Sequence, residues 1–427
     1  MTLQEWREAL GGEDFLHALR PLYGKKAGEN TQRYEKLLSF YEESFSVSAD
    51  TQVSLFSAPG RTEIGGNHTD HQHGRVLAAS VDMDTIAAAS VTEDGMIRIL
   101  SEGYPMCSIS IDDLSVNESE KNTTASLIRG VAAAFAARGC ALKGFQAAVT
   151  SSVLPGSGIS SSAAFEVLVG NIINGLFFDQ KMSAIEIAQI GQYAENVYFG
   201  KPSGLMDQIA SSVGNILTID FADPGSPDVR QLDIDFEKYG LALCIIDSGA
   251  DHAELTDEYA AIPLELKKIC AYFGKNVLRE IPQEDFFAHL PEVRKAAGDR
   301  AVLRAVHFYK DNERVARQAH ALTSGDVDAF LKMVRESGYS SFMYLQNIIP
   351  CGSKEHQEMG VALAVCDTLL GEKGAYRVHG GGFAGTVQAF VPLDMLDQFK
   401  SDVERLLGEG CCHVLQIRSA GGVQVCL

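Results

Sequence analysis

The sequence predicts an α+β protein of two domains, each built from a mixed sheet with helices. Helical periodicity over the first 45 residues gives way to short apolar or alternating runs between turn signals, the mark of strands. Strands, then helices, then strands again succeed one another in the second half of the chain. Between the halves, Asp223-Pro-Gly-Ser-Pro227 has the composition of a boundary loop. With 427 residues, 46% of them apolar and 22% charged, the chain can bury more than one core and is too apolar for disorder.

In order, Arg33 to Phe45 gives an amphipathic helix that packs on the body of the fold. Val53 to Ala58, Val76 to Met83, Thr85 to Val91, Met96 to Ile99 and Gly144 to Thr150 read as strands. Ser161 to Phe178, Ser183 to Phe199 and Ser203 to Val213 read as helices, the last two opened by serine caps. Ile216 to Ile219 and Leu241 to Asp247 return to strands, and a long helical stretch lies between Thr256 and Leu370. Strands at Tyr376 to Val378, Gly385 to Val391 and Val414 to Ser419 complete a second unit, so the expected domains are 1–219 and 220–427.

A net charge of −20 repels nucleic acid and anionic lipid, so a nucleotide would have to be held by local donors and a metal ion. No apolar run reaches the ~18 residues of a membrane helix, and Met1 to Phe15 is too charged for a signal peptide. Nine scattered cysteines without C-x-x-C spacing suit reduced thiols, and the expected location is cytoplasmic. The sequence specifies no oligomeric state.

Leu154-Pro-Gly-Ser-Gly-Ile-Ser-Ser-Ser-Ala-Ala-Phe-Glu166 combines freed backbone, three serines and the start of a helix. Unpaired N–H groups and the dipole at a helix start hold an anion without a lysine, so a phosphate fits there, although a flexible loop capping a core helix has the same composition. It is not a hydrolase elbow, because Pro155 and Ile159 stand where G-x-S-x-G needs glycines, and the chain lacks a Walker lysine and protein-kinase elements. Gly380-Gly-Gly-Phe-Ala-Gly385 satisfies G-x-G-x-x-G, but Thr386 to Val391 continues as a strand, so a glycine turn between strands suits it better than a dinucleotide fingerprint.

Ala58-Pro-Gly-Arg-Thr-Glu-Ile-Gly-Gly-Asn-His-Thr-Asp-His-Gln-His-Gly74 is dense in polar groups between two apolar strands. His68, Asp70, His71 and His73 could ligate a metal, yet H-x-x-H-x-H matches no usual zinc spacing, and Asn, His and Asp together suit a polyol, whose hydroxyls need donors and acceptors. Ala194-Glu-Asn-Val-Tyr-Phe-Gly-Lys-Pro-Ser-Gly-Leu-Met-Asp-Gln208 sets Glu195 near the end of one helix and Asp207 in the first turn of the next. There the dipole favours the carboxylate, whether Asp207 merely caps the helix or accepts a hydroxyl proton while Glu195 binds magnesium.

Together these four segments, with Arg304-Ala-x-His307 and Glu313-x-Val315, resemble the galactokinase branch of the GHMP small-molecule kinases over nearly all the chain after about residue 35. The resemblance implies the two-domain GHMP architecture, with the active site between the domains, and ATP-dependent phosphorylation of the anomeric hydroxyl of galactose or a related sugar. It implies Asp207 as proton acceptor and Arg61 as charge stabiliser, with magnesium on Ser162 and Glu195. Gly156, Ser157, Gly158, Ile159, Ser160, Ser161 and Ser162 would wrap the ATP phosphates. Asn67, His68, Thr69, Asp70 and Gly204 would line the sugar pocket and Tyr259 would close it. The chain departs from the family at Asn67, usually Glu, at Glu63, usually Asn, at His71, usually Tyr, and at Ile262-Pro263, where arginines are usual. These departures leave N-acetylgalactosamine, galacturonate or arabinose as alternative substrates, and a non-catalytic sugar and ATP sensor as an alternative role.

Overall fold

A computed structural model describes residues 1–153, 158–250, 255–383 and 385–427. Three helices, α1 (Leu3–Ala9), α2 (Glu13–Tyr23) and α3 (Ala27–Phe45), open the chain, the first closed by a reciprocal cap between Thr2 and Glu5. Strands β1 (Ser54–Gly65), β2 (Arg75–Thr92), β3 (Met96–Ser101) and β4 (Cys107–Ser110) follow, then α4 (Thr124–Ala137) and β5 (Gly144–Ser151). Next come α5 (Ser161–Phe177), α6 (Ala184–Tyr193), α7 (Met206–Val213), β6 (Ile216–Asp220), β7 (Asp228–Leu232) and β8 (Leu241–Asp247). Helices α8 (Thr256–Tyr272), α9 (Gln283–Ala288), α10 (Leu290–Ala297), α11 (Asp299–Ser324), α12 (Val327–Ser340) and α13 (Glu358–Leu370) lead to β9 (Ala375–His379) and β10 (Thr386–Pro392). The chain ends with α14 (Leu396–Leu407), β11 (Cys412–Leu415) and β12 (Val423–Val425).

Eight strands form one mixed sheet, ordered β12-β1-β2-β5-β3-β4, with β6 and β7 added where β2 continues past β5. Side-chain alternation makes it two-faced: Leu55, Ile86 and Ala88 meet Trp6, Phe15, Tyr34 and Leu37, while Phe56, Ala87 and Ala89 meet Ile128, Phe135, Leu168 and Ile172. The N-terminal helices therefore cover one face and α4 and α5 the other. The second sheet, β11-β8-β10-β9, is wholly antiparallel. Its Cys244, Val387 and Ala389 face Ala362 and Val403, while Leu243, Ile245 and Phe390 pack with Ile64, Leu77, Ile159 and Phe330 in a core that joins both sheets.

Several sequence expectations shift. Val76 to Met83 and Thr85 to Val91 are one strand, β2, whose pairing with β1 slips between Pro59 and Arg61. The Pro-Gly loop at 223–227 is the tip of the β6–β7 hairpin, and β7 and β12 lie in the first sheet, so a cut at 219/220 passes through β6 and does not divide the sheets. Ser203 does not cap α7, which starts at Met206; its N–H donates instead to Asn196 Oδ1 at 2.7 Å. Residues Ala194–Phe199 continue α6 as a π-turn.

Asp84 ties these layers together. Its fully buried carboxylate accepts from Tyr23 on α2 (2.6 Å), Arg33 on α3 (2.8 Å), Arg418 before β12 (3.0 Å) and Ser57 on β1. Burial alone would raise this carboxyl, but the two guanidinium groups outweigh it and hold it below its ordinary value. Asp84→Ala, which strands the buried Arg418 charge, will destabilise the fold by about 3–5 kcal/mol in denaturant titration. A loss under ~1 kcal/mol would show that the hub is dispensable.

Candidate active site

The slip in the β1–β2 ladder aims Arg61 across the junction of the two sheets. Arg61 Nε and Nη2 donate to the two oxygens of Asp207 at 2.6 Å each, and Nη1 donates to the carbonyl of Gly158. One guanidinium thus fastens the sugar-type segment, the first turn of α7 and the end of the serine-rich loop. Burial would push the Asp207 carboxyl up, but Arg61, with a hydrogen bond from Ser160, holds it below the usual aspartate value. The Asp207 side chain keeps 29% of its surface exposed, against 8% for Arg61, so the acid is the member of the pair open to a ligand.

Of the expected phosphate loop, Gly156 and Ser157 lie outside the described residues. Gly158 and Ser160 both have left-handed backbone (φ +69° and +62°), a twist that turns N–H groups to one side as α5 begins. Ile159 is buried in the shared core, and its carbonyl accepts from Arg61 N–H at 2.9 Å. Ser161 and Ser162 form the first turn of α5.

Behind Asp207, Gln208 Nε2 donates to Glu195 Oε2 and to Glu166 Oε2, both at 3.0 Å, and Lys201 Nζ reaches Glu195 Oε1 at 3.0 Å. Burial, reinforced by the Glu195 charge, pushes the Glu166 carboxyl well above its ordinary value. Two buried acceptors here, Glu166 Oε1 and Gln208 Oε1, lack a hydrogen-bond partner. An oxygen-only donor set with spare acceptor capacity fits a hard cation such as magnesium. Among the described residues no group of three or more His, Cys, Asp or Glu side chains is placed to hold a metal, so His68, Asp70, His71 and His73 do not assemble into a metal centre.

The expected sugar-contacting residues divide. Asn67 is fully buried, and its amide is used completely: Nδ2 donates to Glu63 (3.0 Å) and the Gly380 carbonyl (2.7 Å), and Oδ1 accepts from Ser341 (3.1 Å) and Asn347 (2.9 Å). Thr69 is also buried, its hydroxyl on the carbonyls of Gly66 and Arg75. Both side chains build the loop. His68 and Asp70 keep partial exposure. His68 donates from Nε2 to the Gly381 carbonyl at 3.0 Å, and burial with the neighbouring His71 takes its pKa down to about 3, so its Nδ1 stays an acceptor. Asp70 packs on Gly204 so closely that a Cβ there would lie 1.9 Å from Oδ2, which is why that position must be glycine. Tyr259 donates to the Gly382 carbonyl at 2.7 Å, and its ring leaves no room for a side chain on Gly381, where a Cβ would come within 2.7 Å.

Sequence reasoning missed the pair beneath this loop. Arg377, fully buried on β9, holds the Glu63 carboxylate, which in turn holds Asn67. Burial still pushes the Glu63 carboxyl up despite Arg377 beside it. The available signal was an arginine between Tyr376 and Val378 in a predicted strand, three residues before the glycine run.

Comparison with known proteins is decisive at this point. Residues 126–215 match the model of the GHMP kinases N terminal domain, and residues 39–91 match the galactokinase galactose-binding signature. The chain thus carries a GHMP kinase N-terminal domain together with the galactokinase galactose-binding signature. It is a sugar kinase acting on galactose or a closely related sugar, with ATP as the phosphoryl donor of the family. Among solved structures, a Lactococcus lactis galactokinase complexed with galactose superposes with a TM-score of 0.77 at 24% identity, over 91% of this chain and all (100%) of that one. A Methanococcus jannaschii mevalonate kinase matches at 0.61 and 12%, over 86% and 98% of the two chains. A D-glycero-D-manno-heptose 1-phosphate kinase from Bacteroides thetaiotaomicron matches at 0.58 and 16%, over 88% and 99%. These likenesses establish the GHMP kinase fold.

Two outcomes follow for this kinase. Because the folded-state pKa of Asp207 lies below the unfolded value of about 3.9, the stability from its pair with Arg61 is complete above that value and lost as pH falls through the lower one. The unfolding free-energy difference between wild type and Asp207→Asn will therefore stay level from about pH 5 to 8 and shrink below about pH 4. Asn67→Glu alone sets a second buried carboxylate against Glu63 and will lower stability by about 2 kcal/mol or more, whereas the double exchange Glu63→Asn with Asn67→Glu keeps one carboxylate near Arg377 and will recover part of the loss. Equal stabilities of the single and double variants in denaturant titration would refute that coupling.

Proposed function

We propose that the kinase phosphorylates the anomeric C1 hydroxyl of its sugar, with Asp207 and Arg61 as the reacting pair. The sugar hydroxyl donates to Asp207, its oxygen attacks the γ-phosphorus of ATP, and the bond to the β–γ bridging oxygen breaks to release ADP. The hydroxyl proton passes to Asp207. A carboxylate held this acidic is a weak base, so it orients the hydroxyl early and takes the proton as the O–P bond forms. Arg61 keeps Asp207 ionised and supplies positive charge beside the transferred group.

The observation that carries this reading is the two-point clamp of Arg61 on Asp207, closed at the end of the serine-rich loop by Gly158. Gly158 to Ser162, with Gly156 and Ser157 before them, hold the phosphates through backbone N–H groups and the start of α5. Ser162 and Glu195 would hold magnesium, which neutralises phosphate charge when bound. The sugar falls to His68 Nδ1, Asp70 and the Gly204 backbone, under Tyr259, because Asn67 and Thr69 have their polar side-chain groups committed to the loop. Neutral His68 and the Asp70 carboxyl oxygens together offer acceptors to neighbouring sugar hydroxyls. Nine free cysteines support a cytoplasmic location. Among the described residues no helix is long and apolar enough to cross a membrane.

Asp207→Asn will lower kcat by about 10²- to 10⁴-fold while calorimetry still registers sugar binding. Retention of more than about a tenth of wild-type kcat would rule out the assigned role. Galactose, N-acetylgalactosamine, galacturonate, arabinose and glucose, compared by kcat/KM with ATP and magnesium, will rank the substrates. Turnover of none of them would favour the sensor.

A further inference from the structure

We propose that Lys201 is a transferable cation of the phosphoryl-transfer site: it neutralises Glu195 while no metal is bound, and moves to the phosphate oxygens of the nucleotide when a divalent ion takes Glu195. The inference rests on the assignment of Glu195 as a metal ligand. Its basis is the way the π-turn folds back on itself. The N–H groups of Gly200 and Lys201 both donate to the Glu195 carbonyl, at 3.0 and 3.1 Å. Gly200 makes the reversal in left-handed backbone, φ +90°, and Pro202 follows directly. Lys201 is thereby anchored to the residue whose carboxylate its own ammonium covers.

The carboxylate is divided between two partners. Oε2 is held by Gln208, a buried amide that also holds Glu166, so this oxygen is fixed from the protein side. Oε1 carries Lys201. It is the oxygen left for a metal, and the ammonium sits on it. The two side chains differ in freedom: Lys201 is 58% exposed and Glu195 only 4%. A strongly hydrated ammonium on a flexible stem can leave a rigid buried carboxylate without disturbing the fold.

Charge supplies the drive. The ammonium of Lys201 faces the Glu195 carboxylate at 3.0 Å, and a divalent ion on that carboxylate would compete with its charge. Arg61 is already donating to both oxygens of Asp207 and to Gly158. Lys121 packs its stem toward Gly200 but pairs its ammonium with Glu118 at 2.7 Å. Of an ammonium's three N–H donors, Lys201 spends one on Glu195, which leaves capacity for phosphate oxygens. A divalent ion on Oε1 repels the ammonium as the nucleotide brings in fresh negative charge, so both effects push the same way.

The test uses the full-length protein and the variants Lys201→Met, Lys201→Arg and Glu195→Gln. Binding of Mn2+ to the nucleotide-free protein is followed by electron paramagnetic resonance, and binding of ADP with saturating magnesium by calorimetry. Lys201→Met will bind Mn2+ several-fold tighter and magnesium–ADP roughly tenfold weaker, and Lys201→Arg will restore much of the nucleotide affinity. A merely structural ion pair does not move the two affinities in opposite directions. Unchanged Mn2+ affinity in Lys201→Met, or a shift of both affinities in the same sense, overturns the proposal. If Glu195→Gln binds Mn2+ like wild type, the ligand assignment fails and the proposal with it. If Glu195→Gln loses Mn2+ while Lys201→Met matches wild type, the role of Lys201 alone fails.

Discussion

The two-point bond between Arg61 and Asp207 is the constraint on which the candidate site depends. A guanidinium is a planar fork, so gripping both oxygens of a carboxylate fixes direction as well as distance. That grip sets how α7 lies against β1. The third donor, on Gly158, then sets where α5 and its unpaired N–H groups begin. The acid is kept charged by the same group that positions it, and its residual exposure leaves it open to a ligand.

Around this bond the polar interior is arranged in tiers. Arg377 holds Glu63, Glu63 holds Asn67, and Asn67 reaches Gly380, Ser341 and Asn347. The chain thus links β9, β1, the histidine-rich loop, the glycine turn and the end of α12 without a gap. His379 adds a second tie: its Nε2 accepts from the Glu63 N–H, so its Nδ1–H donates to Thr386, and burial beside Arg61 and Arg377 keeps the ring neutral. In a low-dielectric interior such a network holds one geometry, because each group it loses leaves another unpaired.

Much of this was legible in the sequence, for identifiable reasons. The serine-rich loop, Arg61, Glu195 and Asp207 stand in segments that each suit a capped helix or loop alone but point to a ligand when taken in order together, and the glycine run was readable as a turn because a strand follows it. Sidedness was not legible. Asn67 and Thr69 share with His68 and Asp70 a loop that has neither helical nor strand period, so nothing in their spacing told which would turn inward. The 219/220 cut falls inside β6 for a related reason, since Pro and Gly mark a hairpin tip as readily as a linker. Arg377 and Lys201 acquire meaning only from residues far away or folded back on them, and a one-dimensional pattern does not carry that information.

The pairing of Leu55 with Val425 has a consequence for how the protein is made. On the ribosome, β1 waits, one edge bare, while the 370 residues from Leu55 to Val425 (425 − 55) are added to supply the strand that covers it. Contacts so distant in sequence are slow to form and leave an open strand edge in the meantime. The two halves are therefore poor candidates for separate expression or for a split reporter. The nascent first half, with its apolar sheet incomplete, is the species that a chaperone would meet.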